Sequence, residues 1–188
     1  MPRHADPEVE ERVLDAAQKL WRGGGDKTLS MRALARAART NTPAIYRRFK
    51  NREAILRALL LRARARQFHA IQSAGSLEQA LEAYIDFALR NPRDYDLYYA
   101  PQHESLRPPE SRSANIGPGF TWVQQKLVDR LGGSAQDHVA LVLSLWALAH
   151  GTVTLLTSKV VPAPRAAELR AGCAAAVRIL LQNAESKR

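Results

Sequence analysis

Almost every apolar stretch of this chain repeats at three- and four-residue intervals, and no run alternates with the two-residue period of a half-buried strand. A chain patterned this way buries its apolar surface by packing helix on helix, so the expected fold is all-α. Its 188 residues suffice for a real core, in one domain or two small ones. The first helix is expected to begin at Asp6 as N-cap, with Pro7 at its first position and Glu8, Glu10 and Glu11 at its positive end. It carries Val13, Ala17, Leu20 and Trp21 on one stripe and stops at Gly23-Gly24-Gly25. A second helix opens at Ser30 and ends near Ala38, a third follows Asn41 to about Phe49, and a long fourth spans 52–74. Ser76-Leu77-Glu78-Gln79 reads as a capping box for a fifth, Asn91-Pro92 breaks it, and a short helix through Tyr99 follows. Pro101, Pro108, Pro109 and Pro118 mark 100–118 as a mobile loop, with helices expected at about 119–131, 135–158 and 165–183.

Charge is spread unevenly along these helices. The chain holds 28 Lys and Arg against 18 Asp and Glu, a formal charge of +10, and +9 of that lies in residues 1–74. Between Lys27 and Arg66 stand 12 basic residues and a single acid, Glu53. Such a run fits a solvated face, and it also fits a surface that meets phosphates. Charge alone does not separate DNA, RNA and anionic membrane.

The stretch Thr28 to Arg52, TLSMRALARAARTNTPAIYRRFKNR, narrows the choice. Two short helices joined by a tight connection make a helix-turn-helix, whose second helix lies in the major groove. Leu34, Ala35, Ala38 and Ile45 are small or aliphatic, which lets the helices cross closely. Thr42, Pro43 and Ala44 open the recognition helix with short groups, so backbone can approach base edges. Arg47, Arg48 and Lys50 then suit phosphates or guanine, and Tyr46 can reach a phosphate through its hydroxyl. Ser30 and Arg52 begin adjacent helices, where amides and dipole favour an anion. The spacing also faces Tyr46 and Phe49 toward helix 1, as half-core residues. Arg57, Arg62, Arg64 and Arg66 read as a solvated helix face.

The run from Val13-Leu14-Asp15-Ala16-Ala17 through Leu34-Ala35-Arg36-Ala37-Ala38 to Ile45-Tyr46-Arg47-Arg48-Phe49 resembles the N-terminal domain of TetR-family transcriptional regulators. The resemblance covers about residues 9–60. It implies a homodimeric repressor with a three-helix DNA-binding head (1–52), a connecting helix (52–74) and a helical ligand-binding and dimerisation body (75–188). It also implies DNA-facing positions for Ser30, Thr42, Tyr46, Arg47, Arg48, Lys50 and Arg52. The family usually has Gly in the turn, where this chain has Arg39. A left-handed backbone there would cost a non-Gly residue about 1 kcal/mol, so either the turn differs in this chain or Arg39 adds a phosphate contact.

In the body, Tyr84, Phe87, Tyr98, Trp122, Trp146 and His150 are the candidate lining of a cavity for a small, mostly apolar or aromatic effector. The same spacing fits a dry core. Leu145-Trp146-Ala147-Leu148-Ala149-His150-Gly151 resembles the Trp…His-Gly motif of one C-terminal subgroup of the family, as does Ala88-Leu89-Arg90-Asn91-Pro92 with Tyr95. The helix 135–158 and the small-residue helix 165–183 are the expected homodimer interface, as a four-helix bundle.

Val139 to Ser158 contains no Lys, Arg, Asp or Glu, but Ser144, His150, Gly151, Thr152, Thr154 and Thr157 dilute its hydrophobicity, and a doubly buried helix is the simpler reading than a membrane span. The charged N-terminus does not read as a signal peptide, and a lone Cys173 offers no disulfide framework, so a cytoplasmic setting is expected. No catalytic constellation, metal-ligand spacing or cofactor loop is present, so neither an enzyme nor a cofactor is expected. An all-α ligand-binding protein or enzyme with a basic surface, and a non-specific nucleic-acid-binding protein, are the alternatives.

Overall fold

The computed structural model describes residues 7–106 and 117–186, and no strand occurs among them. The proposed N-cap Asp6 and residues 107–116 of the proline-rich loop lie outside the described residues. The helices are α1 (Pro7–Gly24), α2 (Met31–Ala37), α3 (Thr42–Tyr46), α4 (Arg52–Gln72), α5 (Leu77–Arg90), α6 (Pro92–Tyr99), α7 (Pro118–Leu131), α8 (Val139–Thr157) and α9 (Ala166–Glu185). Their starts follow from side chains that satisfy otherwise orphaned amides. Ser30 Oγ accepts from Ala33 N at 3.2 Å, Asn41 Oδ1 from Ala44 N at 2.8 Å, and Asn51 Oδ1 from Ala54 N at 2.9 Å. At α5, Ser76 Oγ accepts from Gln79 N at 3.1 Å, but the Gln79 amide oxygen takes the Gly75 N–H rather than closing a box on Ser76.

The chain forms two compact units, residues 1–64 with 93–107, and residues 65–92 with 108–188. The first unit therefore contains a segment that the sequence reading assigned to the body. Leu97 and Leu106 are fully or almost fully buried in one core with Val13, Ala17, Trp21, Leu34, Ile45, Ile55 and Leu60. Polar contacts reinforce the placement. The Trp21 indole N–H donates to the Arg93 carbonyl at 3.0 Å, and Arg22 Nε and Nη2 donate to Asp94 Oδ2 at 3.1 and 2.9 Å. Asp94 is only 4% exposed, so the guanidinium supplies the solvation that burial removes. Part of the expected mobile loop is ordered as well: Pro101–Leu106 is a 3₁₀ helix, and His103 meets Trp21 edge-on at 5.7 Å.

The second unit packs α8 against α5 and α9. Val142, Leu145, Ala149 and Val153 are the buried side of α8, and Cys173, Val177 and Leu181 that of α9. Arg170 on α9 pairs with Glu82 and Asp86 on α5 at 2.6 and 2.8 Å. The segment Ala135–Thr157 is long and apolar enough to cross a membrane by length and composition. Its apolar residues serve helix packing on one side and leave Leu143 and Leu155 exposed on another.

Candidate nucleic-acid interface

The connection between α2 and α3 sets the geometry of the helix-turn-helix. Arg39 N donates to Arg36 O at 3.3 Å and Thr40 N to Ala35 O at 2.9 Å, the paired bonds of a Schellman ending. That ending requires a left-handed residue, and Arg39 occupies it with φ 51°. Ile45 and Phe49 anchor the recognition helix in the core, at 0% and 6% exposure. Tyr46 departs from the half-core expectation: it is 53% exposed, whereas its neighbour Ile45 takes the buried side of α3. The third helix is accordingly shorter than the sequence suggested, and Arg47 and Arg48 follow it in a turn.

The basic residues separate into two groups. Lys27, Arg32, Arg36, Arg39, Arg47 and Lys50 are exposed and make no ion pair among the described residues. Ser30, Pro43 and Tyr46 are exposed beside them, and Thr42 and Ala44 are half-buried. The second group is engaged within the protein. Arg52 Nε donates to the Leu29 carbonyl at 2.8 Å and its Nη2 to Asp26 Oδ1 at 2.6 Å, so this side chain ties α4 to the loop ahead of α2. Arg48 is 18% exposed and lies 3.9 Å from the Glu10 carboxylate. Arg62 pairs with Glu11 and Asp15, Arg57 with Glu53, and the Arg64 guanidinium sits 4.5 Å over the Tyr98 ring. Two residues proposed from sequence as DNA-facing, Arg48 and Arg52, thus already have internal partners. Lys27, Arg32 and Arg36 were not singled out, although the charge run contained them. A cation's partner is a tertiary fact, so composition alone could not sort the two groups.

The structure brings together three of the candidate ligand residues. The Trp146 indole N–H donates to Tyr84 Oη at 3.3 Å, Tyr84 Oη lies 3.4 Å from His150 Nδ1, and the Trp146 and His150 rings are 5.4 Å apart. Burial holds His150 below the usual imidazole range, favouring the neutral ring, whose Nδ1 can accept a hydrogen bond from the Tyr84 hydroxyl. Phe87, one turn after Tyr84, and Trp122 are half-buried in the same unit, with Lys126 Nζ 5.6 Å from the Trp122 ring. Tyr98 is not in that unit. It packs against the core of the first, because α6 follows Leu97 there.

An all-helical fold with a capped helix-turn-helix and an outward cationic surface defines a DNA-binding protein. Residues 13–59 match the family model for bacterial regulatory proteins of the TetR family, and residues 77–181 match the tetracycline repressor-like C-terminal domain. The chain belongs to the TetR family of transcriptional regulators.

Solved structures agree on the fold. A TetR-family transcriptional regulator from Streptomyces coelicolor is 23% identical, with 94% of this chain and 99% of that one covered and a TM-score of 0.60. The multidrug binding protein EbrR, complexed with imidazole, is 19% identical over 96% of this chain and 93% of its own, with a TM-score of 0.67. A TetR variant from Acinetobacter baumannii AYE in complex with minocycline is 19% identical over 94% and 96%, with a TM-score of 0.61. No curated protein matches the chain in sequence.

Proposed function

We propose that this regulator is a cytoplasmic, non-enzymatic homodimeric repressor that binds operator DNA through α2 and α3 and leaves it when a small effector binds the second unit. One observation carries the DNA half: Lys27, Arg32, Arg36, Arg39, Arg47 and Lys50 are exposed and make no ion pair among the described residues, whereas Arg48, Arg52, Arg57, Arg62 and Arg64 are engaged within the protein. Ser30, Arg39, Thr42, Pro43, Ala44, Tyr46, Arg47 and Lys50 form the contact surface in this reading, with Arg48 and Arg52 positioning it. The dimer half is supported by apolar and small residues exposed along α8 (Leu143, Ala147, Leu155) and α9 (Ala171, Gly172, Ile179). These recur at helical spacing and fit a four-helix bundle between two copies.

The effector reading rests on Tyr84, Trp146 and His150, with Phe87 and Trp122 in the same unit. A set of rings with a few convergent polar atoms suits a flat, mostly apolar molecule that carries a hydrogen-bonding group. The complexes of related folds with minocycline and imidazole support such a site. The Trp146–His150–Gly151 segment supports placing the body in the Trp…His-Gly subgroup. An effector lowers DNA affinity only through its preference for a state that binds DNA poorly, and each tenfold loss needs about 1.4 kcal/mol of preference.

The test is binding by the full-length protein to a duplex selected in vitro from random sequence, compared with unselected duplex. Sequence preference and a steep salt dependence, both lost in the Arg47→Ala/Lys50→Ala variant with its helicity intact, are the expected result. Equal affinity for both duplexes, or an unaltered salt slope in the variant, refutes the reading.

A further inference from the structure

Gln67 places an amide on a side of α4 that turns inward. Ile71, buried and one turn later, shares that side, and its Cδ1 lies 3.7 Å from where a Cβ of Gly119 would stand. This face of α4 therefore meets the start of α7, the helix that carries Trp122, within the second unit. The Gln67 Nε2 is shut off from solvent there and has no hydrogen-bond partner among the described residues. A buried N–H without an acceptor destabilises a fold, and folded proteins satisfy nearly all such groups. An acceptor supplied from outside the chain accounts for one that is left over.

The charges of the second unit narrow the chemistry of that acceptor. Glu78, Glu82 and Asp86 of α5 are already held by Arg130 and Arg170, at 3.2, 2.6 and 2.8 Å. The buried polar side chains among the described residues are Asp94, which belongs to the first unit, and Thr152, whose hydroxyl donates to the Leu148 carbonyl at 2.8 Å. A cation or an anion entering this interior would lose its hydration and meet no buried counter-charge. The ring cluster also favours an acceptor on the ligand. The Trp146 N–H donates to Tyr84 Oη, and the phenol, a stronger acid than imidazole, donates on to Nδ1 of the neutral His150. The imidazole proton then sits on Nε2, so this run of hydrogen bonds ends in an N–H.

We propose that the effector is an uncharged aromatic carbonyl compound whose oxygen accepts a hydrogen bond from the Gln67 amide. The proposal rests on the effector reading above and adds to it a residue of α4 and the chemical class of the ligand.

Acetophenone, benzoate and benzamidine are planar probes of similar size that are neutral, anionic and cationic. Each is titrated into the full-length protein, and binding is read by tryptophan fluorescence and by thermal shift. Acetophenone is expected to bind most tightly. Gln67→Leu removes the amide and keeps most of the bulk, so the free variant should melt about 2–4 °C higher. It should bind acetophenone about tenfold more weakly, the effect of one lost hydrogen bond. Gln67→Glu puts a carboxylate in the place of the donor and should prefer benzamidine to acetophenone. Its shape is nearly that of Gln, so it keeps the test decisive if Gln67→Leu does not fold.

Acetophenone binding that Gln67→Leu and Gln67→Glu leave unaltered would make the amide a structural group satisfied by an ordered water, and would overturn the proposal. A Gln67→Leu variant that folds but melts lower would do the same, because the amide would then have a partner in the free protein. Tighter binding of benzoate or benzamidine by the wild type overturns the chemical class. Binding of none of the three removes the effector reading itself, an outcome distinct from failure at Gln67 alone.

Discussion

Replacing Leu97 by Ala tests whether α6 belongs to the DNA-binding head. Leu97 is fully buried, in the same cluster as Val13, Ala17 and Trp21 of α1 and Ile55 and Leu60 of α4. Three carbons are removed, about 2.4 kcal/mol at about 0.8 kcal/mol each, before any cavity term. Partial collapse of the site brings the expected cost to about 3 kcal/mol, within the range of buried Leu→Ala changes. Hydrogen exchange followed by mass spectrometry resolves where that loss falls. Amides of α1 and of Ile55–Leu60 that exchange through opening of the head should exchange roughly 150-fold faster, since about 1.4 kcal/mol is a factor of ten. Leu181→Ala is the matched control, because Leu181 is 1% exposed in α9 of the second unit. It should accelerate exchange in α8 and α9 and leave α1 unaffected. If Leu97→Ala instead accelerates α5 and α8 while α1 keeps its protection, the assignment of residues 93–106 to the head core is wrong.

Other expectations follow from particular contacts. Arg52→Ala frees the loop at Asp26–Leu29 and should lower stability by about 1–2 kcal/mol, discounted for partial exposure, seen as a drop of several degrees in melting temperature; an unchanged melting temperature would show that the contacts contribute nothing. Because burial lowers the His150 pKa, the unfolded chain takes up a proton below pH 6.5 that the folded chain resists, so stability falls as pH drops through and below that value. His150→Gln should flatten this part of the melting-temperature profile between about pH 7.5 and 5.5, and an equally steep profile in the variant contradicts the assignment. Leu155→Asp with Ile179→Asp should convert a sedimenting dimer to a folded monomer at micromolar concentration; a variant that stays dimeric places the interface elsewhere.

Local chemistry made much of the fold legible before any coordinates. Ser30, Asn41, Asn51 and Ser76 cap the helices that they precede, because an Asx or Ser side chain next to an apolar periodic run has few better uses than the orphaned amides. The stripe Val13, Ala17 and Trp21, and the inward Leu34, Ala35 and Ile45, were equally readable, since helical period decides which side chains share a face. The turn at Arg39 was not decided by the sequence: the resemblance marked it as a place where the family has Gly, and only the structure shows its left-handed φ of 51°.

Only the tertiary structure decided which cations have partners. Arg52 and Arg47 are chemically alike and five residues apart, yet one is bound to Asp26 and the Leu29 carbonyl and the other faces solvent. The same holds for the segment after Asn91-Pro92. Its helix was evident from its own residues, but Leu97, Leu106 and Asp94 find their partners in Trp21, Arg22 and the α1–α4 core, more than 35 residues away along the chain. Tyr98 accordingly lies with the head while Tyr84, Trp146 and His150 meet in the second unit. Periodicity specifies the face that a helix buries; the surface it is buried against depends on contacts between residues distant in the chain, which no local pattern encodes.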